Sequence, residues 1–190
     1  MNTRISFMLR ACSIAVWALP LTMGLAQAQQ KLDPAKSEIA FTSKQMGVPV
    51  QGKFQRFDAQ LSFDAQHPEA AKASITIELG SATMGAPESD AELPKAPWFN
   101  TAKFPQARFV SSTVKSLGEG RYQANGRLTI KGSAQDVVVP FTLKQSGASS
   151  EASGSFVIKR LDFKIGEGEW ADTSMVANEV QVRFKFTLVR

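Results

Sequence analysis

Thiols and imidazoles are almost missing from this chain. It holds one cysteine, Cys12, and one histidine, His67, among 190 residues. Disulfide frameworks and zinc sites of the Cys/His kind need more of either. A Ser-His-Asp triad would have to recruit His67. That residue precedes Pro68 in a polar stretch, the setting of a surface turn. Strong charge is missing too. Lys and Arg total 22 against 17 Asp and Glu, a net +5. The two signs are interleaved, so no nucleic-acid footprint is written here. No P-loop occurs, and Gly166 and Gly168 do not open the helical pattern of a dinucleotide site. Past residue 26 no apolar run is long enough for a helical membrane span. The hydrophobic content of 43% still suffices for a core.

The N-terminus reads as an address. Arg4 and Arg10, with no acid, precede the apolar run 11–26, which Pro20 and Gly24 interrupt. Ala26-Gln27-Ala28 sets small residues at the two positions that signal peptidase reads. This predicts a secretory signal peptide over 1–28, cleaved after Ala28 and taking Cys12 with it. The remaining segment, 29–190, has the length of one domain. The expected compartment is a bacterial periplasm.

Alternating apolar and polar residues dominate the rest, the mark of half-buried strands. Eight such segments are predicted: 37–45, 48–63, 73–79, 107–115, 121–131, 136–145, 153–159 and 179–190. The second is one long strand bent near Phe57. In 107–115 the face is ambiguous, with Phe109 on one side and Val110 and Val114 on the other. Short connections such as Leu117-Gly118-Glu119-Gly120 and Lys131-Gly132-Ser133 carry turn chemistry. The fold class predicted is all-β, an eight-stranded antiparallel up-and-down barrel.

Two segments are too long for hairpin turns. Residues 82–105 hold four prolines, three acids and Trp98, Phe99 and Phe104. They are expected to form short helical turns over one barrel opening. Residues 161–178 carry Phe163, Ile165 and Trp170 among polar residues. Long loops with their own aromatics are often functional. Glu167, Glu169 and Asp172 could hold a hard cation or serve a hydrolase, but a solvated turn explains them as well. Asp90 and Glu92 could form an acid/base couple or simply begin a helix. Twelve of the thirteen phenylalanines lie beyond residue 28. Alternating with small residues such as Ala59, Ala73, Ala124 and Gly126, they could interlock as a filled core or line a tunnel.

Several ordered blocks resemble one known family. Val50-Gln51-Gly52-Lys53-Phe54 with Phe57 is similar to its V-x-G-x-F-x-x-F stretch. Asp90-Ala91-Glu92-Leu93, Trp98-Phe99, Phe104-Pro105 and Phe109-Val110-Ser111-Ser112 come next, in its order. Gly126-Arg127-Leu128-Thr129-Ile130-Lys131-Gly132 and Arg160-Leu161-Asp162-Phe163 with Ile165-Gly166 complete the likeness. From about Leu32 to Val189 the chain resembles the YceI-like family of polyisoprenoid-binding, lipocalin-like secreted proteins. It departs at Glu92, where many members carry histidine, at Pro97-Trp98 and at Lys164.

The resemblance implies a barrel around an apolar tunnel and no catalysis. The ligand expected is a polyprenyl lipid, an isoprenoid quinone or a fatty amide, with no covalent cofactor and no metal. Transient membrane contact, a b-type cytochrome partner and a homodimer are further expectations of this resemblance. Alternation and resemblance together put Phe41, Phe54, Phe63, Ile77, Phe109, Phe141, Phe156 and Phe184 against the tail. Trp98, Phe99, Phe163 and Trp170 are expected at the mouth. Asp90 and Arg160 either meet a headgroup there or pair with each other. The rival from another class is a ligand-free stress or interaction protein with a filled barrel.

Overall fold

The computed structural model describes residues 30–64, 66–147 and 149–189, so the expected signal segment 1–28 lies outside the described residues. The strands are β1 Gln30–Leu32, β2 Glu38–Gln45, β3 Val48–Phe54, β4 Phe57–Ser62, β5 Lys72–Glu78, β6 Ala82–Thr83, β7 Gln106–Gly118, β8 Arg121–Ile130, β9 Ser133–Ser146, β10 Ser149–Lys159 and β11 Glu179–Val189. All their pairings are antiparallel. The first six are halves of three staves: β1 with β2, β3 with β4, and β5 with β6. A 3-10 turn at Pro34–Lys36, a bend at Gln55-Arg56 and a 3-10 turn at Leu79–Ser81 interrupt them. Counted as staves, the sheet is eight strands closed on itself. The first stave meets the last twice, at Phe41↔Val182 and at Leu32↔Leu188.

Closure follows from the patterning. Each strand carries one apolar face, and an open sheet would leave that face and two edges in water. The bend expected near Phe57 falls at Gln55-Arg56. A β-bulge between Ser111 and Thr113 resolves the ambiguous seventh strand. It shifts the alternation by one, so that Phe109 (8% exposed) and Val114 (4%) both point inward, while Val110 points out.

Up-and-down connectivity sorts the connections by end. The connection from β4 to β5, the turn at 119–120 and the β9–β10 turn at Gly147 lie at the base. The Met46-Gly47 turn, segment 84–105, the Lys131-Gly132 turn and segment 160–178 lie at the mouth. Both long insertions thus cover one opening. The first contains the helix α1, Pro87–Glu92. The second contains 3-10 turns at Arg160–Phe163 and Gly168–Ala171.

Candidate functional site

The barrel encloses a cavity of about 370 Å³, lined almost wholly by apolar side chains. Small side chains such as Ala124 on β8 and Ala152 on β10 face it between the aromatic ones. Three glycines explain how so many phenylalanines leave space. Phe41 lies opposite Gly52, and Phe184 opposite Gly154, as direct cross-strand pairs. Phe109 covers Gly126. A Cβ at any of the three would collide with the ring above it. Each ring therefore lies down in a pit in the opposite strand, and the space it would otherwise fill stays open.

Seven of the eight expected tunnel residues line this cavity: Phe41, Phe54, Ile77, Phe109, Phe141, Phe156 and Phe184. Phe63 does not. It sits at the base, edge-on to Tyr122 with ring centroids 5.0 Å apart, and Tyr122 stacks in turn on Phe141. These rings pack the base of the barrel, because the short turns there leave the strand ends to be closed by side chains.

At the mouth, Trp98, Phe99, Trp170 and Arg160 line the cavity, and the two indoles meet at 5.5 Å. Phe163 is not at the lining. At 1% exposure it is a structural plug under its own turn. Asp90 is also absent from the lining. Its carboxylate accepts hydrogen bonds from the Met84 N–H and the Thr83 hydroxyl, which hold its acidity below the usual carboxylate range. The alternative Asp90–Arg160 ion pair does not form.

Arg160 instead donates to five carbonyls: Ala177 from Nε, Ile165 and Gly166 from Nη1, and Trp170 and Val176 from Nη2. All five guanidinium N–H groups are thereby satisfied. At 2% exposure it is the folding centre of the second insertion. Burial lowers its pKa from the ordinary arginine value, which still leaves it charged at neutral pH.

A second buried cation laces the two insertions together. Lys131 takes the left-handed backbone (φ 49°) that the tight β8–β9 turn demands. Its ammonium donates to Ala96 O (2.7 Å), to Lys164 O (2.7 Å) and to Glu167 (2.8 Å). The N–H groups of Gly166 and Glu167 both donate to Pro97 O. The hydrogen bond from Lys131 holds the Glu167 carboxyl below its ordinary pKa. The sequence pattern shows Lys131 only as part of a turn. Nothing in one strand's alternation predicts a lysine reaching two carbonyls and a carboxylate in two distant loops.

The carboxylates considered for a cation or a hydrolase do not converge. Glu167 is on Lys131, and Asp172 accepts from the backbone and hydroxyl of Ser174. Among the described residues no group of three His, Cys, Asp or Glu side chains could hold a metal ion. His67 is an exposed partner of Asp64 in the loop at the base.

Together these residues define a class: a closed antiparallel barrel of lipocalin-like form, with an apolar chamber under a laced mouth. The chain matches the YceI-like domain over residues 30–188 and belongs to that family. A UPF0312 protein of Photorhabdus laumondii is 34% identical over 139 residues, covering 68% of this chain and 72% of that protein. A UPF0312 protein of an Enterobacter species is 34% identical over 168 residues, covering 82% and 86%. The crystal structure of Burkholderia cenocepacia BcnA is 42% identical with a TM-score of 0.81, covering 82% of this chain and 98% of that one. A polyisoprenoid binding domain from Saccharophagus degradans shares the fold, with a TM-score of 0.68 at 16% identity over 84% of this chain and 97% of its own.

Proposed function

We propose that this protein is an exported, periplasmic carrier that sequesters one long-chain amphiphile in its barrel. The candidates are a polyisoprenoid, an isoprenoid quinone or a fatty amide. The observation that carries this reading is the apolar chamber of about 370 Å³, kept open by rings lying over glycines. Its size lies within the range of small-molecule pockets. The resemblance to a family that includes a polyisoprenoid binding domain supports the same class of ligand. Export rests on the signal-like segment 1–28.

Energetics favour a carrier over a tight store. A tail leaving water gains about 0.8 kcal/mol per buried CH₂. Its working reference is a bilayer, where the tail is already apolar. Transfer between membrane and barrel is then nearly balanced and reversible, through transient membrane contact. Binding, rather than turnover, is the activity this lining supports. A quinone cargo would suit delivery to an electron-transfer partner such as a b-type cytochrome, from a monomer or a homodimer.

Native mass spectrometry of protein purified from a periplasmic extract, followed by organic extraction, tests this reading. One stoichiometric prenyl or fatty ligand is expected. A clean unliganded mass, with no uptake from a panel of prenyl quinones, polyprenols and fatty amides, would overturn it in favour of an interaction protein.

A further inference from the structure

A large apolar side chain held in water on a strained backbone is unfavourable twice over, and the tip of the β2–β3 hairpin carries one. Gln45 pairs with Val48, so Met46 and Gly47 form a two-residue turn, and both take positive φ, 48° and 82°. Turns of this kind favour Asn, Asp and Gly, which enter the left-handed region at low cost. Five non-glycine residues have positive φ among the described residues, and Met46 is the one apolar member. At 71% exposure it is also the most exposed of the large apolar side chains described. An Asn-Gly pair would close the same turn without either cost.

Met46 does not stand alone. Val48 follows it at 63% exposure, and Met175 of the second insertion is 46% exposed. The Met46 N–H donates to Met175 O, Gln45 bridges to Val176, and the Ala177 N–H donates to Lys44 O. These bonds join the hairpin and the second insertion into one lip on the rim of the mouth.

A cluster of exposed apolar side chains marks a contact surface, and its size and charge restrict the partner. Three side chains cover far less than the roughly 800 Å² per partner of a stable protein interface. They suffice for shallow insertion into a bilayer surface, where apolar side chains reach the acyl boundary and a neighbouring cation meets phosphate. The hairpin supplies that cation. Lys44 is exposed beside the tip, and no acid occurs between Ile39 and Phe57. Asp172, at the near end of the second insertion, accepts hydrogen bonds from the Ser174 N–H and hydroxyl.

We infer that Met46, Val48, Met175 and Lys44 form a docking lip that seats the mouth on a bilayer bearing anionic phospholipid. This rests on the carrier reading and deepens it by naming the surface of exchange. With the lip inserted, a tail passes between acyl chains and chamber without crossing bulk water. The lip therefore sets the rate of exchange and not the affinity of the chamber.

Co-sedimentation of the purified chain with vesicles of phosphatidylglycerol and phosphatidylethanolamine reads docking. Tryptophan quenching by a short-tailed prenyl benzoquinone reads exchange, with the quinone supplied either in those vesicles or directly from ethanol. Met46→Asn should weaken vesicle binding about fivefold to tenfold and keep or raise the melting temperature, because asparagine suits the left-handed turn. Val48→Thr should act in the same direction. Lys44→Gln should weaken binding about fivefold, and the wild-type chain should bind vesicles of phosphatidylcholine alone more weakly. Leu117→Asn, at an exposed apolar position by the base, is the control and should change nothing. Met46→Asn should also slow quinone transfer from vesicles about fivefold to tenfold while leaving binding of directly added quinone unchanged. The lip is overturned if the wild-type chain does not bind these vesicles, or if Met46→Asn and Val48→Thr bind them as the wild type does. Self-association that Met46→Asn abolishes, without vesicle binding, would overturn it in favour of a second copy of the chain. If the chain docks through the lip yet loads neither this quinone nor the panel of polyprenols and fatty amides, the carrier reading fails and the docking surface stands.

Discussion

At the scale of single residues, two buried cations hold the mouth, and neither can be exchanged for the other. Arg160 satisfies five carbonyls with a planar fork; a lysine has three donors and no such geometry. Arg160→Lys should leave at least two buried carbonyls unpaired and cost about 2–4 kcal/mol. Equilibrium urea denaturation measures this, and a loss under about 0.5 kcal/mol would contradict the role given to Arg160. Gly166 belongs to the same unit, because a Cβ there would strike the guanidinium.

The Lys131–Glu167 contact makes a pH prediction. The folded carboxyl has its pKa lowered by the lysine's hydrogen bond. Its stabilising contribution is therefore present above the unfolded glutamate pKa, about 4.3, and is lost as pH falls through the lower folded value. Asp90 behaves likewise toward Met84 and Thr83. Hydrogen exchange should show segments 84–99 and 164–167 loosening below about pH 4, while β8 to β11 keep their protection. Loosening of the mouth between pH 5 and 7 instead would point to another group.

At the scale of elements, the glycine pits decide the bore of the barrel. Gly52→Ala would place a methyl under the Phe41 ring. The ring can rotate only into the lumen, so the variant should lose about 1–3 kcal/mol and bind ligand less well. The two losses are separable: thermal denaturation reads the first, and titration with the short-tailed quinone reads the second. Intact binding in a folded Gly52→Ala protein would show that the pit does not set the bore. Alternation in β2, β3 and β10 places Phe41, Phe54 and Phe156 on the inner face correctly, because a period of two is a local property. It cannot show that Gly52 and Gly154 face the rings of other strands. That depends on register between strands, which no single segment encodes. The same alternation puts Phe63 in the tunnel, yet that residue lies past the end of β4, where the strand rule no longer applies.

At the scale of the whole molecule, closure makes one interior out of eight half-buried faces. A charge in that interior has no compensating partner. Phe141→Glu, midway along β9 and stacked on Tyr122, should abolish ligand uptake. Circular dichroism must first show a folded barrel. If such a variant loads normally, the barrel chamber is not where the ligand sits; Leu161→Glu, at a position absent from the cavity lining, provides the matched control for an added charge.

Strand number, the antiparallel fold and the bend in the second stave can be read from periodicity and turn chemistry; seven of the cavity-lining residues follow from alternation together with the family resemblance, since periodicity alone leaves the face of Phe109 open. These are determined within some ten residues of chain, where backbone pleat and side-chain polarity act together. Family membership is legible for the same reason, as ordered local blocks. The tertiary structure alone decided that Arg160 serves carbonyls rather than Asp90, that Lys131 ties two loops, that Phe163 is a plug, and that phenylalanines rest on glycines. Each of these depends on groups far apart in sequence meeting in a dry interior. There the cost of an unpaired polar atom or an overlapping ring, and not local propensity, selects the arrangement.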